Sequence, residues 1–178
     1  MRIISGKYRG KKLKEFDLQT TKPTLDRVKE SIFNLVQFDV DGAVVLDLFS
    51  GTGAIGIEAI SRGAKKTILV DSNKQAISLI KENLKGIDGD YSVEFCDYLV
   101  YLNSTKLKFD IVFLDPPYAS DFGEDAIKYI LSNGLLNKQG IIIFETSFEK
   151  QVNLDFDGVD VTKKKYGTVA VYKLTMRE

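Results

Sequence analysis

The chain has 178 residues, 44% apolar and 28% charged, with 25 basic and 25 acidic side chains that cancel. That length builds one domain with a full core. Histidine and tryptophan are absent and Cys96 is the single cysteine. Those absences exclude an imidazole base, a Ser-His-Asp triad, a histidine-rich metal site, an intrachain disulfide and a CxxC zinc site. No apolar run approaches the ~18 residues of a membrane span, and the start at Met1 is no signal peptide. A cytoplasmic protein is expected.

Neutrality hides an asymmetry. Residues 1–30 carry nine Lys/Arg against four Asp/Glu, and residues 31–178 carry 16 against 21. Lys7, Arg9, Lys11, Lys12 and Lys14 lie close together, interleaved with Tyr8, Gly6 and Gly10. Two readings stand: a solvated terminal arm, or a hairpin-like arm that grips nucleic-acid phosphates by releasing counterions. An amphipathic helix follows from about Leu25 to Val36, with Val28, Ile32, Leu35 and Val36 on one face and Thr24 placed to cap it.

From residue 44 onward strands and helices alternate. Val44–Leu48 reads as a buried strand and ends in the glycine-rich turn Ser50-Gly51-Thr52-Gly53. Ala54 to Arg62 is helical and stops at Gly63. Thr67–Val70 is a strand, and Asn73 to Leu84 is a helix capped at Ser72 or Asn73. Ser92–Phe95 and the almost wholly apolar Asp110–Leu114 are further strands, the second central. Asp125 to Leu131 is helical and Ile141–Phe144 is a strand. Val159 to Lys164 and Thr168 to Leu174 then alternate as an antiparallel hairpin turning near Tyr166-Gly167. This order implies an α/β doubly wound fold, a mostly parallel sheet with helices on both faces and an antiparallel edge supplied by the hairpin. Residues 1–40 form a basic arm and helix, and residues 41–178 a catalytic core, within a single domain.

Gly51-Thr52-Gly53-Ala54-Ile55-Gly56 matches G-x-G-x-x-G between a strand and a helix. A tight turn needing glycine, a dinucleotide site and an S-adenosylmethionine (SAM) site all fit that pattern. Asp47 favours SAM. At the strand's end its carboxylate is expected to face the ligand crevice, where it would repel a pyrophosphate and attract a sulfonium or ammonium. Asp71 ends the second strand, placed either to accept from ribose hydroxyls or to cap the next helix. Asp97, after the third strand, is placed either to accept from the adenine amine or to cap. Cys96 reads as a small buried apolar residue.

Asp115-Pro116-Pro117-Tyr118 follows the apolar strand and is the most specific feature of the chain. Two prolines fix the backbone and donate no hydrogen bond. An exocyclic amine is a poor nucleophile because its lone pair is delocalised into the ring. The Asp115 carboxylate and the Pro116 carbonyl would accept from its two N–H groups and draw the nitrogen toward tetrahedral geometry. Tyr118 offers a stacking face to an unstacked base. Methyl transfer then needs in-line placement more than an acid or base, which suits a chain without histidine. The plain alternative is a rigid Pro-Pro turn.

The glycine turn with Asp115–Tyr118 resembles SAM-dependent amino methyltransferases of nucleic-acid bases. Arg2 through Leu13, Lys22 through Glu30 and Ser61-Arg62-Gly63-Ala64 narrow this. Together they resemble the RsmD family of bacterial 16S ribosomal RNA guanine-N2 methyltransferases over essentially the whole chain. The resemblance implies a seven-stranded methyltransferase fold, SAM as donor, and a guanine of small-subunit ribosomal RNA, free or within the small ribosomal subunit, as acceptor. It carries a cofactor role onto Asp47, Gly51, Gly53, Asp71 and Asp97, and a target-base role onto Asp115, Pro116, Pro117 and Tyr118. The chain departs from the family pattern at Tyr8 and Ser50, neither of which touches the chemistry.

The alternatives are a DNA or RNA adenine-N6 methyltransferase, a nicotinamide-dependent oxidoreductase and a non-enzymatic RNA-binding module. The adenine enzymes share the tetrapeptide but usually add a sequence-reading domain. The oxidoreductase lacks a proton relay, and the binding module leaves Asp115–Tyr118 without a use. No metal is expected, and the chain is expected to act as a monomer. Lys163-Lys164-Lys165 fits either an RNA contact or a solvated hairpin end.

Overall fold

A computed structural model describes residues 1–17 and 23–177. Among these, β1 (Val44–Asp47), β2 (Lys66–Asp71), β3 (Tyr91–Phe95), β4 (Phe109–Leu114), β5 (Leu136–Ser147), β6 (Val159–Tyr166) and β7 (Val169–Met176) form one sheet in the order β3-β2-β1-β4-β5-β7-β6. The first five run parallel, and β7 is antiparallel to both β5 and β6. The chain order reverses between β1 and β4. Ligands of open α/β sheets bind at such a switch point, beyond the carboxyl ends of the strands.

Alternation along the central strands splits the core into two faces. Leu46, Val112, Leu114, Ile142 and Phe144 pack with α4 (Tyr98–Ser104) and α5 (Phe122–Ser132). Val45, Ile111, Phe113 and Ile143 pack with α1 (Pro23–Asn34) through Val28, Ile32 and Phe33. A third cluster joins α2 (Ala54–Ser61) and α3 (Lys74–Asn83) to Ile3 and Leu13 of the N-terminal segment. The β1, β2 and β4 runs are near-continuously apolar because both sheet faces are covered.

The expected elements are present with shifted ends. Helix α1 starts at Pro23, where a missing N–H costs nothing, so Thr24 lies inside its first turn rather than at the position before it. Lys22 falls outside the described residues. Helix α5 begins at Phe122, three residues before Asp125. Helix α4 has no counterpart in the sequence reading, because seven residues rich in Tyr, Leu and Val show no helical period. Strand β5 extends to both sides of Ile141–Phe144, and its register against β4 slips between Phe109 and Ile111 where Gln139 adopts a φ of 60°. The β6–β7 hairpin turns through Gly167-Thr168 with a φ of 62° at Gly167, the position where two-residue turns admit glycine. Along β6 the ammonium groups of Lys163 and Lys165 sit 4.4 and 4.2 Å from the ring centroid of Phe148.

The N-terminal segment is hairpin-like and bound to the core. Arg2 bridges Lys12, Ile3 N–H donates to the Lys11 carbonyl at 2.9 Å, and Leu13 N–H donates to the Met1 carbonyl at 2.9 Å. Gly6, with a φ of 87°, lies so close to α2 that a Cβ would meet the Ser61 carbonyl oxygen at 1.8 Å. Lys7 N–H donates to that carbonyl and Tyr8 N–H to the Ser61 hydroxyl. Beneath them the fully buried Glu58 carboxylate accepts from Ile4 N–H (2.9 Å), Ser5 N–H (3.0 Å) and Arg62 Nε (2.8 Å). Lys29 Nζ donates to the Arg2 carbonyl at 2.6 Å.

Candidate active site

The carboxyl ends of β1, β2, β4 and β5 open into a cleft of about 650 Å³. One wall is the turn from Ser50 to Thr52, followed by α2. Gly51 has a φ of 54°, and a Cβ there would meet nothing within 4 Å, so the turn presents bare backbone to the cleft. Gly53, with a φ of 81°, starts α2 and packs against Ile57 and Ile80 rather than lining the cleft. Glycine suits both positions because an L side chain is strained there.

Asp71 lines the cleft and braces this turn. Its two carboxylate oxygens accept from Gly51 N–H at 2.9 Å and from Asn73 N–H at 2.8 Å. The cap of α3 is Asn73 itself, which accepts from Gln75 and Ala76 N–H. Asp97 also lines the cleft and caps α4 by accepting Leu99 N–H at 2.8 Å. Cys96 is half-buried on the same wall, where burial pushes its thiol up. Phe49, Tyr98 and Phe122 form an aromatic cluster beside it, with centroids 5.0 to 6.5 Å apart.

Asp47 does not face the cleft. Its carboxylate turns under α2 and accepts Gly56 N–H at 2.9 Å, with 2% of the residue exposed. The pleat dictates this, because Asp47 shares a sheet face with Val45, the face that α2 covers. Gly56 is required by the same approach: a Cβ would lie 2.6 Å from Leu69 and 3.2 Å from Asp47. Burial pushes the Asp47 carboxyl up to about 7, against the Gly56 hydrogen bond that lowers it.

Asp115, Pro116, Pro117 and Tyr118 line the opposite wall. Asp115 keeps exposed surface where it meets the cleft, yet protein crowds it closely. Burial, then the charges of Glu145 and Asp47, push its carboxyl well above the usual carboxylate range. The Pro117 carbonyl accepts from Ser120 N–H at 3.0 Å and from the Ser120 hydroxyl at 2.6 Å. Among the described residues no donor reaches the Pro116 carbonyl. The Tyr118 hydroxyl donates to Glu145 Oε1 at 2.6 Å, and its ring is 37% exposed. Burial and Glu145 raise the Tyr118 pKa.

The basic residues divide in two. Lys14 pairs with Glu82 at 2.9 Å, and Lys11 donates to the Lys85 carbonyl, both fastening the segment to the end of α3. Lys7, Arg9 and Lys12 are exposed and have no acidic partner among the described residues. Tyr8 packs against the third core cluster, and its hydroxyl accepts Asp88 N–H at 2.8 Å.

A family model described as Conserved hypothetical protein 95 matches residues 1–175. Ribosomal RNA small subunit methyltransferase D of Haemophilus influenzae is 33% identical over 98% of this chain and 92% of its own. The protein of that name from Escherichia coli K12 is 31% identical over 100% and 90%. This chain belongs to that family. Among solved structures, yhhF from Escherichia coli, named there as a candidate methyltransferase, superposes with a TM-score of 0.89 at 29% identity over 99% of this chain and 98% of its own.

Two charged residues that line this cleft have no counterpart among the expected site residues. Lys29 lines the cleft from α1, 2% exposed, and pairs with Glu58 at 3.1 Å. Burial lowers its pKa, while Glu58 opposes the shift. Glu145 lines the cleft from β5, two residues before the strand ends. The signal was an acid directly after the apolar run Ile141–Phe144, the same placement that singled out Asp71 and Asp115. The expected motif residues and Glu145 converge on the cleft; Asp47 and Gly53 support it from behind.

Proposed function

We propose that this chain transfers a methyl group from S-adenosylmethionine to the exocyclic N2 amine of a guanine in 16S ribosomal RNA. The observation that carries this reading is the pairing, on one cleft wall, of the Asp115 carboxylate with a Pro116 carbonyl that no other group uses. Two acceptors held by rigid backbone suit the two N–H groups of an amine.

The donor's place follows from the opposite wall. Bare backbone at Gly51 leaves room for the cofactor, Asp71 offers remaining lone pairs to ribose hydroxyls, and the aromatic cluster offers an apolar wall for adenine. The cofactor supplies an electrophilic methyl on a sulfonium. Asp71 and Asp97 give the donor side of the cleft an acidic lining that fits a cation and opposes a pyrophosphate.

Asp115 and Pro116 orient the amine's lone pair toward the methyl, and the Tyr118 ring stacks on the base. Asp115 then lies next to the positive charge that develops on nitrogen, and its enclosure strengthens that attraction. The substrate class follows the relatives named as small-subunit ribosomal RNA methyltransferases. Lys7, Arg9 and Lys12 provide sequence-independent phosphate contacts.

The test is incubation of the protein and labelled SAM with small ribosomal particles from cells lacking the enzyme, or with DNA. Nuclease digestion and mass spectrometry should find N2-methylguanosine in 16S RNA. N6-methyladenosine in DNA, with none in the particles, would overturn the proposal.

A further inference from the structure

Glu145 has no part in the arrangement of donor and amine, yet it occupies the most informative position in the cleft. Strands β4 and β5 are parallel and in register here, Leu114 opposite Phe144. Asp115 and Glu145 each follow that pair directly, Asp115 just past the end of β4 and Glu145 beside it within β5, on strands spaced about 4.8 Å apart. Both side chains line the cleft. Glu145 Oε1 is occupied by the Tyr118 hydroxyl at 2.6 Å. Among the described residues no donor reaches Oε2. A half-buried side chain with one carboxylate oxygen unpaired within the protein therefore sits beside the acceptors assigned to the target amine.

Base chemistry says what that donor is. Guanine presents N1–H directly beside its N2 amine, so its edge offers donors in a continuous row. Adenine presents a lone pair at N1 beside its N6 amine. A carboxylate next to the amine site satisfies the first edge and repels the second. We infer that Glu145 accepts the N1–H of the target guanine and selects guanine over adenine. This rests on the proposed amine role of Asp115 and Pro116. The tetrapeptide grips any exocyclic amine, and Glu145 reads the atom next to it.

Burial raises both carboxyls, and the nearby Glu145 charge adds to the effect on Asp115. Two acids that resist ionising side by side are stabilised as carboxylates by a row of donors. Flipped bases are commonly read through such Watson–Crick edge contacts.

Three variants test this on small ribosomal particles, with SAM affinity measured by calorimetry. Glu145→Gln keeps the shape but has one oxygen to share between the Tyr118 hydroxyl and N1–H. Its kcat/KM for the particle should fall roughly tenfold to a hundredfold, the loss typical of a charge-assisted hydrogen bond. Glu145→Asp keeps the charge but withdraws it by a methylene, and should fall with it. Tyr118→Phe removes only the hydroxyl and should fall several-fold less than either. SAM affinity should be unchanged in all three. Particles carrying adenosine at the modified nucleotide, once mapped, should not be methylated by the unaltered protein.

If Glu145 merely anchors Tyr118, Glu145→Gln will fall no further than Tyr118→Phe, which overturns the inference. Equal transfer to guanosine and adenosine particles by the unaltered protein overturns it too. Both outcomes leave N2-methylguanosine as a product and the proposed function standing. Failure to methylate the particles at all removes that function instead.

Discussion

The ammonium of Lys29 lies 3.1 Å from the carboxylate of Glu58, with both side chains almost wholly excluded from solvent. Glu58 holds Arg62 and two amides of the N-terminal segment as well, so the pair joins α1, α2 and that segment at one point. Removing the hub strands several donors; removing one spoke leaves the hub satisfied. Glu58→Ala should therefore destabilise by about 3–5 kcal/mol, and Lys29→Met by clearly less. Urea unfolding of the two variants checks this, and equal losses would contradict it.

Asp71 links the cofactor wall to the glycine turn through Gly51 N–H. Asp71→Ala should weaken SAM binding by about 1–3 kcal/mol, from lost ribose acceptors and a released turn together. Calorimetry reads the affinity. An unchanged value would remove Asp71 from the donor site.

Asp115 should matter only once the base is in place. Asp115→Ala should lower kcat and kcat/KM together by at least about a hundredfold while SAM affinity changes little. Single-turnover transfer to ribosomal particles measures this. Near-normal turnover would reduce the tetrapeptide to a rigid turn.

Lys11 and Lys14 are partnered near the end of α3, which leaves Lys7, Arg9 and Lys12 as the proposed phosphate contacts. Neutralising these three should flatten the dependence of RNA affinity on salt by about 0.7 per lost contact on single strands. Neutralising Lys11 and Lys14 should act chiefly on stability. Affinities at several salt concentrations compare the sets, and an unchanged slope in the triple variant denies it a role in binding.

Asp47 has a carboxyl pushed up to about 7 by burial. Between about pH 4 and 7 the folded chain holds a proton there that the unfolded chain has lost. Stability from this residue is thus fully present below about pH 4 and declines as pH rises through about 7, by about 1.4 kcal/mol per unit at most. Asp47→Asn, still able to accept Gly56 N–H, should lose that decline. The difference in unfolding free energy between the two proteins, followed across this range, should shift steadily in favour of the variant as pH rises. A constant difference would mean Asp47 is ionised throughout.

The parallel strands were legible because near-continuous apolar runs end in acids, and both signals are local; their order in the sheet rests on pairing that no local pattern carries. Asp71, Asp97 and Asp115 reach the cleft as the sequence suggests. Asp47 does not, although the period-2 alternation with Val45 already assigned its face. Glu145 was legible by the rule used for Asp115, but only register against β4 sets the two side by side. What sequence could not supply was pairing across distance. Lys14 with Glu82 and Tyr8 with Asp88 lie 68 and 80 positions apart, and no local pattern separates a lysine that is spoken for from one that is free. Helix α4 was hidden for another reason: Asp97 caps it, and its seven residues are too few to display a period.

The lysines over Phe148 have a consequence for how the molecule behaves in company. Strand β6 is the outer edge of the sheet, with unpaired backbone groups that a second sheet would meet. Any strand approaching that edge must come up against three consecutive ammonium groups, two of them held over an aromatic ring. At low ionic strength like charges keep such edges apart, and concentrated salt removes the protection. Colloidal stability of this protein should therefore be lost at high salt before the fold is, with the first contacts made along β6.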